Sequence, residues 1–240
     1  MRRHLSILML AARSNIYYVL AIFFVMAAGE GAVFYLLVKA KGTDLPLEEI
    51  LSQSQIPLIF GIAFLLLCAC LSLTGAEFLG SKVRYTLQRL TVGEKEILCW
   101  WAVYNSICFF AFWAFQLLLM LLFCRTYLET MDPSCISDQT LFVACYRNNF
   151  LHNLLPLEET SRYLRNIWMV LCLGFTASCF SYHRRHDKMS ITVALMAALA
   201  VVFFQHPMGD MGSDLMVGGG AFLIAFTAGF GVWKEMDHEN

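Results

Sequence analysis

Residues 16–38 read IYYVLAIFFVMAAGEGAVFYLLV, an apolar run broken by one acid, Glu30. An α-helix needs about 20 such residues to cross the hydrocarbon core of a bilayer. Outward from this stretch, five more apolar runs follow at 57–76, 97–124, 167–182, 189–205 and 215–233. The composition agrees. Of 240 residues, 59% are apolar and only 15% charged, and the mean hydropathy is +0.62. That leaves too few charges to cover a soluble globule of this size, and far too much apolar surface for a disordered chain. The formal net charge of −1 provides no basic field for nucleic acid. The expectation is an all-α polytopic membrane protein: a single transmembrane domain over 1–240 with six transmembrane helices.

The distribution of Lys and Arg sets the expected orientation. With both termini on one side, that side holds 11 of these residues and the other holds 6. Acids lean the opposite way, with Asp44, Glu48, Glu49, Glu129, Asp132 and Asp138 among those on the second side. The pattern places both termini in the cytoplasm and the 125–166 segment outside the cell membrane. Residues 1–15 combine Arg2 and Arg3 with a short apolar run, which reads as an interfacial helix lying along the inner leaflet. Trp100, Trp101 and Trp233 at the inner ends of their spans fit interfacial anchors. Within 125–166, the part from 141 to 157 mixes Phe142, Val143 and Phe150 with Arg147, Asn148, Asn149, His152 and Asn153, an amphipathic pattern suited to a membrane surface.

Seven of the nine cysteines lie in apolar runs, where they act as small hydrophobes. Cys135 and Cys145 fall in the polar outer segment and are candidates for a disulfide in an oxidising exterior; the alternative is two free thiols. No metal-ligand spacing appears. Residues 75–82 read G-x-x-x-x-G-S-K, the reverse of the Lys-then-Ser/Thr order a phosphate loop requires, so no nucleotide or other cofactor is expected in this chain, and no catalytic residue is assigned.

Glu30 is the only acid inside an apolar span. A carboxyl there is costly and marks a solute or ion path by default. It could equally lie at the outer boundary, cap a helix break, or pair with an arginine such as Arg125. Gln116 in the third span is the second candidate lining residue of such a path, or else a helix–helix contact.

The connection from Ser81 to Ile97 carries the clearest functional signal. Val83, Leu87 and Leu90 are spaced i, i+4, i+7 and share one helix face. Arg84, Gln88 and Arg89 form a polar, basic strip beside it, Gly93 supplies a stop, and Lys95 follows. This segment resembles the inner loop of ABC-2-type transporter permeases, in which a short helix ends in a Leu-Pro-[Ile/Val]-Ser-[Arg/Lys]-like turn just before the next span. Here the turn is Leu90-Thr91-Val92-Gly93 with Lys95 after it, so Thr91 replaces the proline and Gly93 the serine. The resemblance implies a permease subunit of an ABC transporter, with a separate ABC-type ATPase supplying ATP and magnesium. That ATPase would dock on Arg84, Leu87, Gln88, Arg89, Leu90 and Lys95, and a second permease chain, identical or related, would complete the path in the lipid membrane. Such permeases often carry their larger outer insertion between spans 5 and 6; here it lies between spans 3 and 4. A plain topology-setting loop that touches anionic lipid is the other reading of the same arginines.

The rival functional class is a stand-alone membrane protein: a sensor, an assembly factor or an immunity-type protein with no transport path. A third reading is protease-like. Glu158-Glu159-Thr160-Ser161-Arg162 and Phe180-Ser181-Tyr182-His183 resemble the E-E-x-x-x-R and F-x-x-x-H motifs of prenyl-endopeptidase-like proteins, each one residue short. The expected topology puts them on opposite sides of the membrane, where they cannot activate one water between them.

Overall fold

A computed structural model describes residues 2–41, 47–74, 93–130, 139–156, 159–205 and 211–238. Among these residues the regular structure is all helix, without strands. In chain order the helices are α1 (Arg2–Lys41), α2 (Leu47–Gln53), α3 (Ile56–Ser72), α4 (Glu94–Leu128), α5 (Thr140–Arg147), α6 (Asn149–Leu154), α7 (Thr160–Arg185), α8 (Thr192–Gln205) and α9 (Met211–His238). α1, α4, α7 and α9 are long and apolar enough to cross a membrane, and α2 with α3, bent by 50° at a short break, makes up to a fifth span. The chain is thus a membrane-embedded helical protein of four to five candidate spans. The expected run at 189–205 is a helix of 14 residues, roughly 21 Å at 1.5 Å per residue and short of a ~30 Å hydrocarbon core.

Three sequence expectations are corrected. Residues 1–15 are not a separate helix: from Arg2 onward they run without interruption into the first span. Nothing in 2–15 breaks a helix, and Ile7 and Ala11 are buried in the core rather than facing a membrane surface. Trp101 is no interfacial anchor, because it is buried beneath the guanidinium of Arg185, 4.9 Å from its ring. The 141–157 stretch only partly lies on the surface. α5 does expose Phe142 and Tyr146, but α6 buries Phe150, Leu151 and Leu154. The Asn148 side chain caps α6 by accepting from the amides of Phe150 and Leu151, both at 3.1 Å. Phe150 then meets Phe60 at 5.5 Å. Phe60 also stacks on Phe112 of α4 at 5.3 Å and reaches Phe204 of α8 at 6.4 Å, so one aromatic cluster ties α3, α4, α6 and α8 together.

α7 is the hub, packed against α4, α9, α8 and α3, while α1 packs on α3 and α4. The α4–α7 contact is close because Gly174 faces Ser106: a Cβ at position 174 would sit 2.8 Å from the Ser106 backbone nitrogen. Ser178 Oγ donates to the Leu98 carbonyl at 2.7 Å across the same seam. Small residues that let backbones approach, with hydroxyls bonding across, are the usual contact chemistry of helices in lipid.

Side-chain contacts define the two ends of the bundle. At one end Asn15 of α1 bonds Thr74 just past α3, Ser181 of α7 donates to the Thr74 carbonyl, Arg185 meets Glu94 at 2.9 Å, and Lys188 meets Glu235 of α9 at 3.2 Å. At the other end Phe34 of α1 stacks on Phe123 of α4 at 4.9 Å, Glu48 of α2 pairs with Arg147 of α5 at 2.8 Å, and Arg165 near the start of α7 pairs with Asp214 near the start of α9. Short α8 runs between these ends. It begins soon after Lys188, and its Phe203 carbonyl lies 3.5 Å from Arg165 Nη2.

Candidate functional site

Glu30 sits where the register of α1 puts it. The buried residues of this helix are Ile7, Ala11, Asn15, Val19, Met26, Glu30 and Phe34, a stripe with steps of four and seven that keeps to one helix face. That face packs on α3 and α4, so Glu30 points into protein and is 0% exposed. Arg125 is not its partner, because that side chain turns to Glu129, the residue that ends α4, 3.1 Å away. The partner is Gln116, also 0% exposed, whose Nε2 donates to Glu30 Oε2 at 3.0 Å. The two path residues singled out in the sequence, 86 positions apart, are therefore in direct contact. Rings of Phe23, Phe112 and Phe115 lie along the same α1–α4 seam.

A second buried polar group lies at the end of the bundle that holds α2, α5 and α6. Arg165 Nη1 and Asp214 Oδ1 are 2.7 Å apart, with side chains only 1% and 4% exposed. Ser161 Oγ donates to the other Asp214 oxygen at 2.9 Å. Arg165 also donates to Asn166 Oδ1, and Asn166 Nδ2 donates to the Asn153 carbonyl at 2.9 Å. Trp113 Nε1 donates to the neighbouring Leu154 carbonyl at 3.0 Å. This network joins α4, α6, α7 and α9. Every charge in it is matched, the condition for burying an ion pair without leaving a bare charge. Nothing in the sequence signals that Arg165 and Asp214, 49 positions apart, pair.

Of the docking residues, Arg84, Leu87, Gln88, Arg89 and Leu90 lie outside the described residues. Lys95 is in the first turn of α4, 4.4 Å above the Trp233 ring and 3.9 Å from Asp237. Around it stand Glu94, Arg185, His183, Lys188 and Glu235, a rim of alternating charge. Cys145 is buried, while Cys135 lies outside the described residues. Glu159 and His183 flank and end α7, 24 residues apart, or about 36 Å along a helix, so the protease-like motifs do not meet. Among the described residues no cluster of three His, Cys, Asp or Glu side chains is placed to hold a metal ion.

Comparison with protein-family models, curated proteins and solved structures finds no match to this chain.

Proposed function

We propose that the chain is the permease subunit of an ABC-type transporter. In this reading it crosses the cell membrane six times with both termini in the cytoplasm, pairs with a second permease chain, and moves its substrate with ATP hydrolysed by a separate ATPase subunit. The observation that carries the reading is the 81–97 connection: a short amphipathic, basic segment with its own stop, resembling the ATPase-docking loop of ABC-2-type permeases. Its support is positional. The connection leaves from Thr74 and re-enters at Glu94, at the bundle end whose rim holds Lys95, Arg185, Lys188, Glu235 and Asp237. The passage of α8 between the two ends, short as it is, supports six crossings. Glu30 and Gln116 belong to the candidate path.

The test is copurification. Leu87→Asp with Leu90→Asp removes the apolar docking face and leaves the arginines. Loss of the ATPase subunit from the purified complex, with the permease still folded, is the expected result. Retention of the ATPase with unchanged coupled hydrolysis would remove this loop as the docking element, and purification with no ATPase at all would favour a stand-alone membrane protein. Orientation is tested apart from function: a cysteine placed at exposed Lys234 should react with impermeant reagents only from the cytoplasm, and one at exposed Lys41 only from outside.

A further inference from the structure

The contact between Glu30 and Gln116 is short of one donor. Gln116 supplies the N–H to Glu30 Oε2 at 3.0 Å, yet Glu30 Oε1 and Gln116 Oε1 are both buried without a hydrogen-bond partner. An ionised carboxylate only accepts, and an amide oxygen only accepts, so no arrangement of these two groups alone satisfies both oxygens while Glu30 carries a charge. Among the described residues no Lys, Arg or His forms an ion pair with Glu30. α3, packed against α1, has no charged side chain from Ile56 to Ser72; its ionisable groups are the thiols of Cys68 and Cys70. On α4 the ionisable groups nearest Gln116 along the helix are the thiols of Cys108 and Cys124, and Arg125 is engaged by Glu129. On α1 itself the nearest is the Tyr35 hydroxyl, on an exposed residue.

A single added hydrogen would supply the missing donor. A proton on Oε1 turns Glu30 into a donor, and Gln116 Oε1 is the open acceptor on the side chain already bonded to it. Together with the existing N–H···O bond this closes an eight-membered acid–amide ring with two antiparallel hydrogen bonds. We propose that Glu30 is a proton-binding site: it is held as the carboxylic acid and locks α1 to α4 through this ring with Gln116. A metal cation does not suit the place. Hard cations take six or more oxygen ligands, and this site offers two open oxygens. Three grooves along the flanks of the bundle, one of them about 640 Å³ between α7 and α9, are lined by neither residue. The proposal is independent of the transporter reading, because it concerns the resting chain and needs no ATPase.

Infrared spectroscopy of the full chain in lipid nanodiscs at pH 7 tests it through the carbonyl stretch of a protonated carboxyl group. The expected result is such a band in the unsubstituted protein, its loss in Glu30→Gln, and its shift in Gln116→Met, where the ring is opened and the acid remains. If Glu30→Gln removes no band, or if Gln116→Met leaves the band in place, the proposal fails. Should Glu30→Gln not fold, carboxyl-13C glutamate incorporated into the unsubstituted chain and into Gln116→Met gives the same decision. An isotope-shifted acid band that moves on Gln116→Met supports the ring, and the absence of any isotope-shifted acid band, or one that Gln116→Met leaves in place, overturns it.

Discussion

α1 and α7 are both long enough to cross a membrane, and they differ in what they bury. α1 shows the surroundings a largely apolar surface: Tyr17, Leu20, Phe24, Val25, Tyr35 and Leu36 are exposed. From Ser6 onward its buried polar groups are few, namely Asn15 and Glu30. α7 inverts this. Its exposed residues include Leu164, Ile167, Trp168 and Leu171, while Arg162, Arg165, Asn166, Thr176, Ser178, Ser181, His183 and Arg185 are buried. In water the polar face of a helix turns outward; in lipid the outer face must be apolar, and polar groups survive only where protein satisfies them. The helix with the weakest hydropathy is therefore the one at the centre. The difference teaches that apolarity marks the helices at the periphery of such a bundle, and that a polar, short-looking run can be the hub.

Substitutions on the two helices can break this comparison. The largest effect is expected from Arg165→Met, which strands Asp214 without its counter-charge. Loss of one member of a buried pair costs about 3–5 kcal/mol, and Arg165→Met with Asp214→Leu should recover most of it. Thermal unfolding in nanodiscs checks this, and equal melting of the single variant and the unsubstituted protein would remove the claim that the pair is buried and coupled. Next comes Phe24→Arg on the lipid-facing side of α1, where a central charge costs about 2.5–3.5 kcal/mol of insertion free energy. A membrane-insertion assay reads it directly, and insertion as efficient as with phenylalanine would mean that Phe24 is covered by protein.

A smaller but sharper contrast uses two glycines. Gly174→Val on α7 forces α4 away at Ser106 and should cost about 1–3 kcal/mol by overpacking. Gly31→Val on α1 meets no atom within 4 Å of the added Cβ and should leave the melting point near its starting value. Comparable losses at both sites would contradict the assignment of α7 as the tightly packed helix. The smallest expected loss is Ser178→Ala, which removes the bond to the Leu98 carbonyl. Such interhelical bonds contribute about 0.6 kcal/mol on average in membrane proteins, so the melting point should fall by a small amount in the same assay.

The sequence alone determined the all-helical, membrane-embedded class, because runs such as 16–38 and 97–124 are too long and too apolar for any other solution. It also singled out Glu30, since an acid in such a run stands out against its neighbours, and Gln116 for the same reason. It did not determine that these two meet. That depends on the register of α1 against α4, which is set by packing between residues 86 positions apart. The N-terminal limit of α7 was hidden as well: Arg162, Arg165 and Asn166 look like the end of an apolar run until Asp214 and the Asn153 carbonyl are brought to them. The insertion of α6 was hidden for the same cause, because Phe150 has no apolar surroundings until Phe60, Phe112 and Phe204 converge. Hydropathy is a sum over one helix, whereas the burial of a charge or a ring is decided by which other helix lies against it. Only the tertiary structure specifies that.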